Sequence, residues 1–258
     1  MKKGSVAIIS FTGKDLASGK VFDTTSAEEA KASGAFDANG IYRPIPIIVG
    51  AGDVIKGIDD ALLAMNPGEQ KVITLQPKDA FGERNPELVA LVPLQEFRNR
   101  NMNPYPGMVV EVDGRQGRVQ SASGGRVRVD FNPELAGRTI EYKLNVEKEI
   151  AEKREQLQAL FEKYFAFLDA KNVKIELNGA SAQITIPGEQ VNEGTIGKIA
   201  INKILFTKAV LGSLEGFSEI NFVEQFGKGK EAKDAEEKAD DAKSKTGKGA
   251  AKSKKQAL

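Results

Sequence analysis

Residues 50–69 read GAGDVIKGIDDALLAMNPGE, and the fold turns on how this stretch is read. Gly52-Asp53 offers a start and Pro67-Gly68 a stop for one short helix. Between them Ile55, Ile58, Leu62 and Met65 recur at i, i+3, i+7 and i+10, an apolar stripe, with Asp59 and Asp60 expected on the opposite face. The stretch holds no serine, cysteine, histidine, tyrosine or arginine. Any work it does must rest on shape and apolar surface, not on an acid, a base or a nucleophile.

The whole chain shares that limit. Its 258 residues include no cysteine and no histidine. This excludes disulfides, thiolate zinc sites, Ser-His-Asp and Cys-His machinery and HExxH metal sites. The formal net charge is +1, so no global field favours nucleic acid or an acidic partner. The first apolar run, SVAIISF (5–11), is too short for most signal peptides, and no stretch approaches the ~20 apolar residues of a membrane helix. The expectation is a cytoplasmic protein without membrane contact, metal or cofactor.

Outward from the helix, β-branched and aromatic runs read as strands at 5–11, around Val21-Phe22, at 42–50 (an edge or bulged strand, given its two prolines) and at 69–77. The polar segment 24–40 carries one helical turn near Ala27–Ala32, and 78–89 reads as a loop. From about Asn85 to Asn132 short alternating strands are separated by Asp113-Gly114 and Gly124-Gly125, a small β-meander. RTIEYKLNVEKE (138–149) returns to a strand like those before it, so one β-rich unit interrupts another. Leu157, Leu160, Phe161, Tyr164 and Leu168 then follow helical spacing. Strands at 173–179, 181–188 and 219–226, with 195–210 open between helix and strand, complete a C-terminal α/β domain. Residues 228–258 hold ten lysines and six acidic residues and no aromatic, the composition of a solvated, disordered tail.

Three separated stretches carry a resemblance: GKVFDTT (19–25), the run from Gly50 to Val89, and VDFNPELAGRTIEYKLNVEKE (129–149). Together they resemble the FKBP-type prolyl cis–trans isomerases, and within them the long bacterial and archaeal SlyD-like kind, which carries a chaperone domain inserted in the flap. The resemblance implies an α+β fold: an antiparallel FKBP-type half-barrel wrapped on a short helix (1–84 plus 133–150), an inserted small β-rich domain (85–132) and a C-terminal α/β domain (151–227). It implies a catalytic set of Asp23, Ile55, Phe81 and Tyr142, and a substrate-binding wall of Phe11, Phe22, Ile45, Val54 and Ile58. Phe11 and Phe81 stand where relatives carry tyrosine, Tyr142 where they carry phenylalanine, and Ile58 where many eukaryotic relatives carry tryptophan. Phe81 therefore lacks a hydroxyl for the bound peptide, and Ile58 makes a smaller floor. Pro133 replaces a histidine of the SlyD-like pattern, and a histidine-rich metal-binding tail is absent.

In the insert, Leu91, Val92, Phe97, Met102, Tyr105 and Met108 read either as a self-contained mini-core or, following the resemblance, as a surface that holds unfolded or nascent protein. The implied activity is prolyl isomerisation of proline-containing peptides combined with client holding. The alternative is a non-enzymatic holdase or peptide-binding module whose pocket has degenerated, favoured by Phe81 and Ile58. Tail lysines that touch RNA or ribosome, and a dimer formed through the C-terminal domain, are further partner expectations.

Overall fold

The computed structural model describes residues 1–38 and 40–227, so the tail and its RNA or ribosome contact lie outside the described residues. Two compact units emerge, Met1–Lys163 with Gly212–Glu215, and Tyr164–Leu211 with Gly216 onward.

The first unit is built on strand β1 (Val6–Asp15). One edge of β1 pairs antiparallel with β2 (Val21–Thr24) and with β3 (Ile45–Ile48). Its other edge pairs with β9 (Ile140–Ile150), which pairs in turn with β4 (Gln70–Leu75). Ser26 caps helix α1 (Ala27–Ser33), accepting from the Glu29 N–H, in the segment expected to hold one helical turn. β3 has a single partner, as its prolines require. Helix α2 (Lys56–Leu63) buries Ile58 and Leu62, and Met65 just past it, against Ile9, Ile47, Leu144 and Val146 of the sheet.

α2 departs from expectation at one residue. Asp60 is exposed and pairs with Lys56, but Asp59 is buried and accepts N–H bonds from Gly50 (2.6 Å) and Gly52 (3.0 Å). The glycine turn before the helix has backbone donors that no strand satisfies, and the inward carboxylate supplies their acceptor. At Gly57 a Cβ would collide with Leu75 and with the Asp79 carbonyl oxygen (2.9 Å), so the glycine lets α2 seat on the end of β4. Two 3-10 turns, Pro77–Asp79 and Pro86–Leu88, occupy the segment read as loop.

Between β4 and β9 lies the insert, a four-stranded antiparallel sheet ordered β5-β8-β7-β6. Its elements are β5 (Val89–Pro93), α3 (Leu94–Asn99), β6 (Val109–Val112), β7 (Arg115–Ser123) and β8 (Arg126–Asp130). It has its own core of Val92, Phe97, Val110, Val112, Val119, Val127 and Val129, distinct from that of the host. The two ends of the insert are clasped: the Asn85 N–H donates to Asn132 Oδ1 at 2.8 Å, and Asn132 Nδ2 donates to the Asn85 carbonyl at 2.9 Å.

After β9 comes α4 (Lys153–Tyr164), which belongs to the first unit as far as Lys163; the sequence reading places all of it in the C-terminal domain. The second unit is a three-stranded sheet in which β10 (Lys174–Asn178) and β11 (Ser181–Pro187) are antiparallel. The ambiguous 195–210 segment is helix, α5 (Ile196–Ser213), the crossover from β11 to its parallel neighbour β12 (Glu219–Gln225). Parallel neighbours need such a crossover, which resolves a β-branched run that propensity alone leaves open. Phe165, Phe206 and Phe222 pack together at centroid distances of 5.8–6.1 Å. No described helix is long and apolar enough to cross a membrane.

The buried Asp59 gives a stability prediction. Asp59→Ala leaves two backbone N–H groups without an acceptor and should cost about 2–3 kcal/mol in denaturant unfolding. Asp60→Ala, losing an exposed pair, should stay within about 0.5 kcal/mol of wild type.

Candidate active site

The wall of the site is made where β1, β2 and β9 run side by side. Phe11 on β1, Phe22 on β2 and Tyr142 on β9 meet edge to face, with centroids 5.9 Å apart for Phe11–Tyr142 and 5.8 Å for Phe22–Tyr142. Phe81, just past the turn that follows β4, closes on Phe22 at 5.6 Å, again edge to face. Such pairs add roughly 0.5–1.5 kcal/mol each beyond the area they bury, so the rings hold one another in orientation.

Every apolar residue expected in the pocket belongs to this cluster. Ile58 and Tyr142 lie in its buried core, and Phe11, Phe22, Ile45, Val54, Ile55 and Phe81 pack against that core while remaining partly accessible. Leu135 and Ala80 join them unforeseen, because neither sits in a recognisable pattern. Of the expected site residues only Phe22 and Phe81 line the adjoining cleft of about 680 Å³, whose other walls include Asp15, Lys20, Val21, Glu134, Leu135 and Arg138.

Ile55 sits immediately before α2 with an extended backbone (φ −59°, ψ 148°), and its carbonyl accepts from the Ile58 and Asp59 N–H groups. Its own N–H has no partner among the described residues. A free donor at the rim of an apolar pocket is suited to a peptide carbonyl.

Gly13 was not singled out in the sequence, although a glycine inside a strand marks close approach. A Cβ on it would stand 2.6 Å from Tyr142 Cε1 and 2.9 Å from Phe22 Cζ. The bare backbone is therefore what lets the aromatic wall close over β1.

Asp23 follows Phe22 on β2, and Asp15 and Glu134 line the adjoining cleft. Asp23 pairs across β1 with Gly13, and although its residue is exposed, desolvation raises its pKa above the ordinary 3.8, the Thr24 backbone N–H acting in the opposite sense. Tyr142 is shifted upward too, first by burial and second by the charge of Asp23. The candidate site thus joins an apolar core, a ring wall, one backbone donor and one partly desolvated carboxylate at its exposed side.

In the insert, the six residues read as a client surface divide. Leu91 and Tyr105 are exposed at 61% and 63%. Val92 and Phe97 are buried in the insert's core, and Met102 and Met108 are half-buried against it. The strand explains the split: β5 alternates, sending Leu91 outward and Val92 inward. Val109, at 53%, is exposed with Leu91 and Tyr105.

The raised Asp23 pKa predicts a pH signature. Between 3.8 and the raised value the native state binds more protons than the unfolded chain, so stability falls as pH rises through that window. Asp23→Asn removes the loss: in calorimetric melts it should unfold at higher temperature than wild type at pH 7. The difference should vanish as pH drops below the ordinary aspartate range, and a pH-independent difference would contradict the assignment.

Residues 1–93 match the model of the FKBP-type peptidyl-prolyl cis-trans isomerase family, and residues 90–135 match that of the FKBP26 IF domain. The short-type peptidyl-prolyl cis-trans isomerase of Methanocaldococcus jannaschii is 33% identical over 128 residues, covering 50% of this chain and 82% of the relative. The FKBP-type 16 kDa peptidyl-prolyl cis-trans isomerase of Escherichia coli is 27% identical over 132 residues, covering 49% of this chain and 83% of its own length. SlyD of Helicobacter pylori, an FKBP-type isomerase, is 28% identical over 122 residues, 46% of this chain and 65% of that protein. An apolar pocket with no acid–base pair and a relative matched over four fifths of its length lead to one conclusion: the chain belongs to the FKBP-type peptidyl-prolyl cis–trans isomerase family and is an isomerase of that type.

Proposed function

We propose that the pocket of Phe11, Phe22, Asp23, Ile45, Val54, Ile55, Ile58, Phe81 and Tyr142 rotates X–Pro bonds in peptides and unfolded chains, while the insert holds the client. The observation that supports this reading is that Phe11, Phe22, Phe81 and Tyr142, drawn from β1, β2, the turn after β4 and β9, pack edge to face on the apolar core that also takes in Ile45, Val54, Ile55 and Ile58.

The chemistry needs no proton transfer. Peptide planarity sets a barrier of ~18–20 kcal/mol, and uncatalysed X–Pro exchange takes tens to hundreds of seconds. The planar amide is the more polar state, so a water-poor apolar wall disfavours it relative to the twisted form. The Ile55 N–H holds the chain beside the bond that turns, and Asp23 contributes a fixed negative charge. Leu91, Tyr105 and Val109, with the adaptable Met102 and Met108 behind them, give the insert an apolar surface for client segments.

NMR exchange on a short Ala-Leu-Pro-Phe peptide tests the pocket, with aggregation of an unfolded client measured in parallel. Asp23→Ala should lower kcat/KM at least about tenfold, roughly 1.4 kcal/mol of transition-state stabilisation, and Ile55→Asp should abolish turnover. A chain in which a short loop replaces 86–131 should keep peptide turnover and lose suppression of aggregation, because the insert has its own core and clasped ends. The alternative, a holdase with a degenerate pocket, requires wild type without peptide turnover.

A second copy of this chain is the partner we propose for α5, whose Ile201 and Ile204 are 61% and 70% exposed, with Leu205 beside them. Light scattering of the full-length chain should then give a dimer that Ile204→Asp converts to monomer; a wild-type monomer would exclude it.

A further inference from the structure

Three residues form a single row across the sheet. Gly13 of β1 pairs with Asp23 of β2 on one side and with Tyr142 of β9 on the other. Directly opposed residues share a face, and adjacent strands lie ~4.8 Å apart. Asp23 and Tyr142 therefore flank, two strand spacings apart, a position that has no side chain. Tyr142 leans into that gap: a Cβ on Gly13 would lie 2.9 Å from Tyr142 Cζ, the carbon that bears the hydroxyl. The ring crosses β1 in the direction of Asp23, held edge-on by Phe11 and Phe22.

Tyr142 is 3% exposed, yet its hydroxyl has no hydrogen-bond partner among the described residues. No described side-chain polar atom is both fully enclosed and unpaired, so this oxygen keeps some exposure beside the aromatic wall. The other rings of the wall are Phe11, Phe22 and Phe81, and none of them can donate.

We propose that the Tyr142 hydroxyl anchors the bound peptide by donating a hydrogen bond to a peptide carbonyl adjacent to the X–Pro bond that turns. This rests on the isomerase reading of the pocket. Burial and the neighbouring Asp23 charge keep the phenol protonated, hence a donor. The carbonyl of the turning bond itself is the wrong partner. It is most polar when planar, so a donor there would hold the planar form and raise the barrier. A flanking peptide unit stays planar throughout, and an anchor on it binds ground and transition states alike. Such uniform binding acts on KM and leaves kcat in place.

The test uses full-length Tyr142→Phe, with NMR exchange of the Ala-Leu-Pro-Phe peptide across a concentration series and calorimetric Kd of the same peptide. KM and Kd should rise roughly tenfold, the loss of one hydrogen bond, with kcat within about twofold and the melting temperature not lowered. Adding Phe81→Tyr to that variant returns a hydroxyl to the same wall and should recover part of the affinity, which a merely structural role would not allow. Unchanged KM and Kd in Tyr142→Phe overturn the proposal, and so does a fall in kcat at constant KM. Wild type that binds the peptide through Tyr142 but shows no turnover overturns the isomerase reading and leaves the anchor standing.

Discussion

The structure of the first unit depends on the pairing of β1 with β9, which runs the length of β1, from Val6↔Ile150 to Asp15↔Ile140. β1 is bonded on both edges, so it fixes where β2, β3 and β9 lie, and through β9 where β4 lies. Helix α2 then has one place to bury its stripe, against Ile9, Ile47, Leu144 and Val146. The aromatic wall follows from the same register. A slip of one residue would turn Phe11 and Tyr142 to the other face and dissolve the pocket. Catalytic geometry and fold stability are thus one constraint, written into a strand pair that joins the two ends of the host.

Much of this was legible in the residues. The α2 stripe, the turn glycines and the edge character of β3 follow from local pattern, and the four rings that pack together, Phe11, Phe22, Phe81 and Tyr142, sit in separated motifs rather than in any single one. What stayed hidden shares a physical cause. Asp59 reads as a solvent-facing charge because periodicity counts side chains; its real task is set by the backbone donors of Gly50 and Gly52. The role of Gly13 depends on two strands that sequence distance separates by over a hundred residues, so no local window contains it.

The insert shows the opposite lesson. There the alternation of β5 was in plain view, and it separates Leu91 from Val92 without further information. Neither reading, a mini-core or a surface, holds for all six residues, because the strand period sends neighbours to opposite faces. In α5, by contrast, the β-branched run is ambiguous until the parallel pairing of β11 with β12 demands a crossover between them. Local propensity decides where a segment is self-sufficient, and topology decides where it is not.

The asparagine clasp at the base of the insert carries a consequence for how such a chain diversifies. With its two ends a hydrogen bond apart, the insert looks to the host sheet like a hairpin loop, whatever its length. Loop-closure entropy grows only with the logarithm of length, so exchanging one insert for a larger one costs the host little. The insert can therefore be exchanged at its neck while the β4–β9 pairing of the host stays as it is.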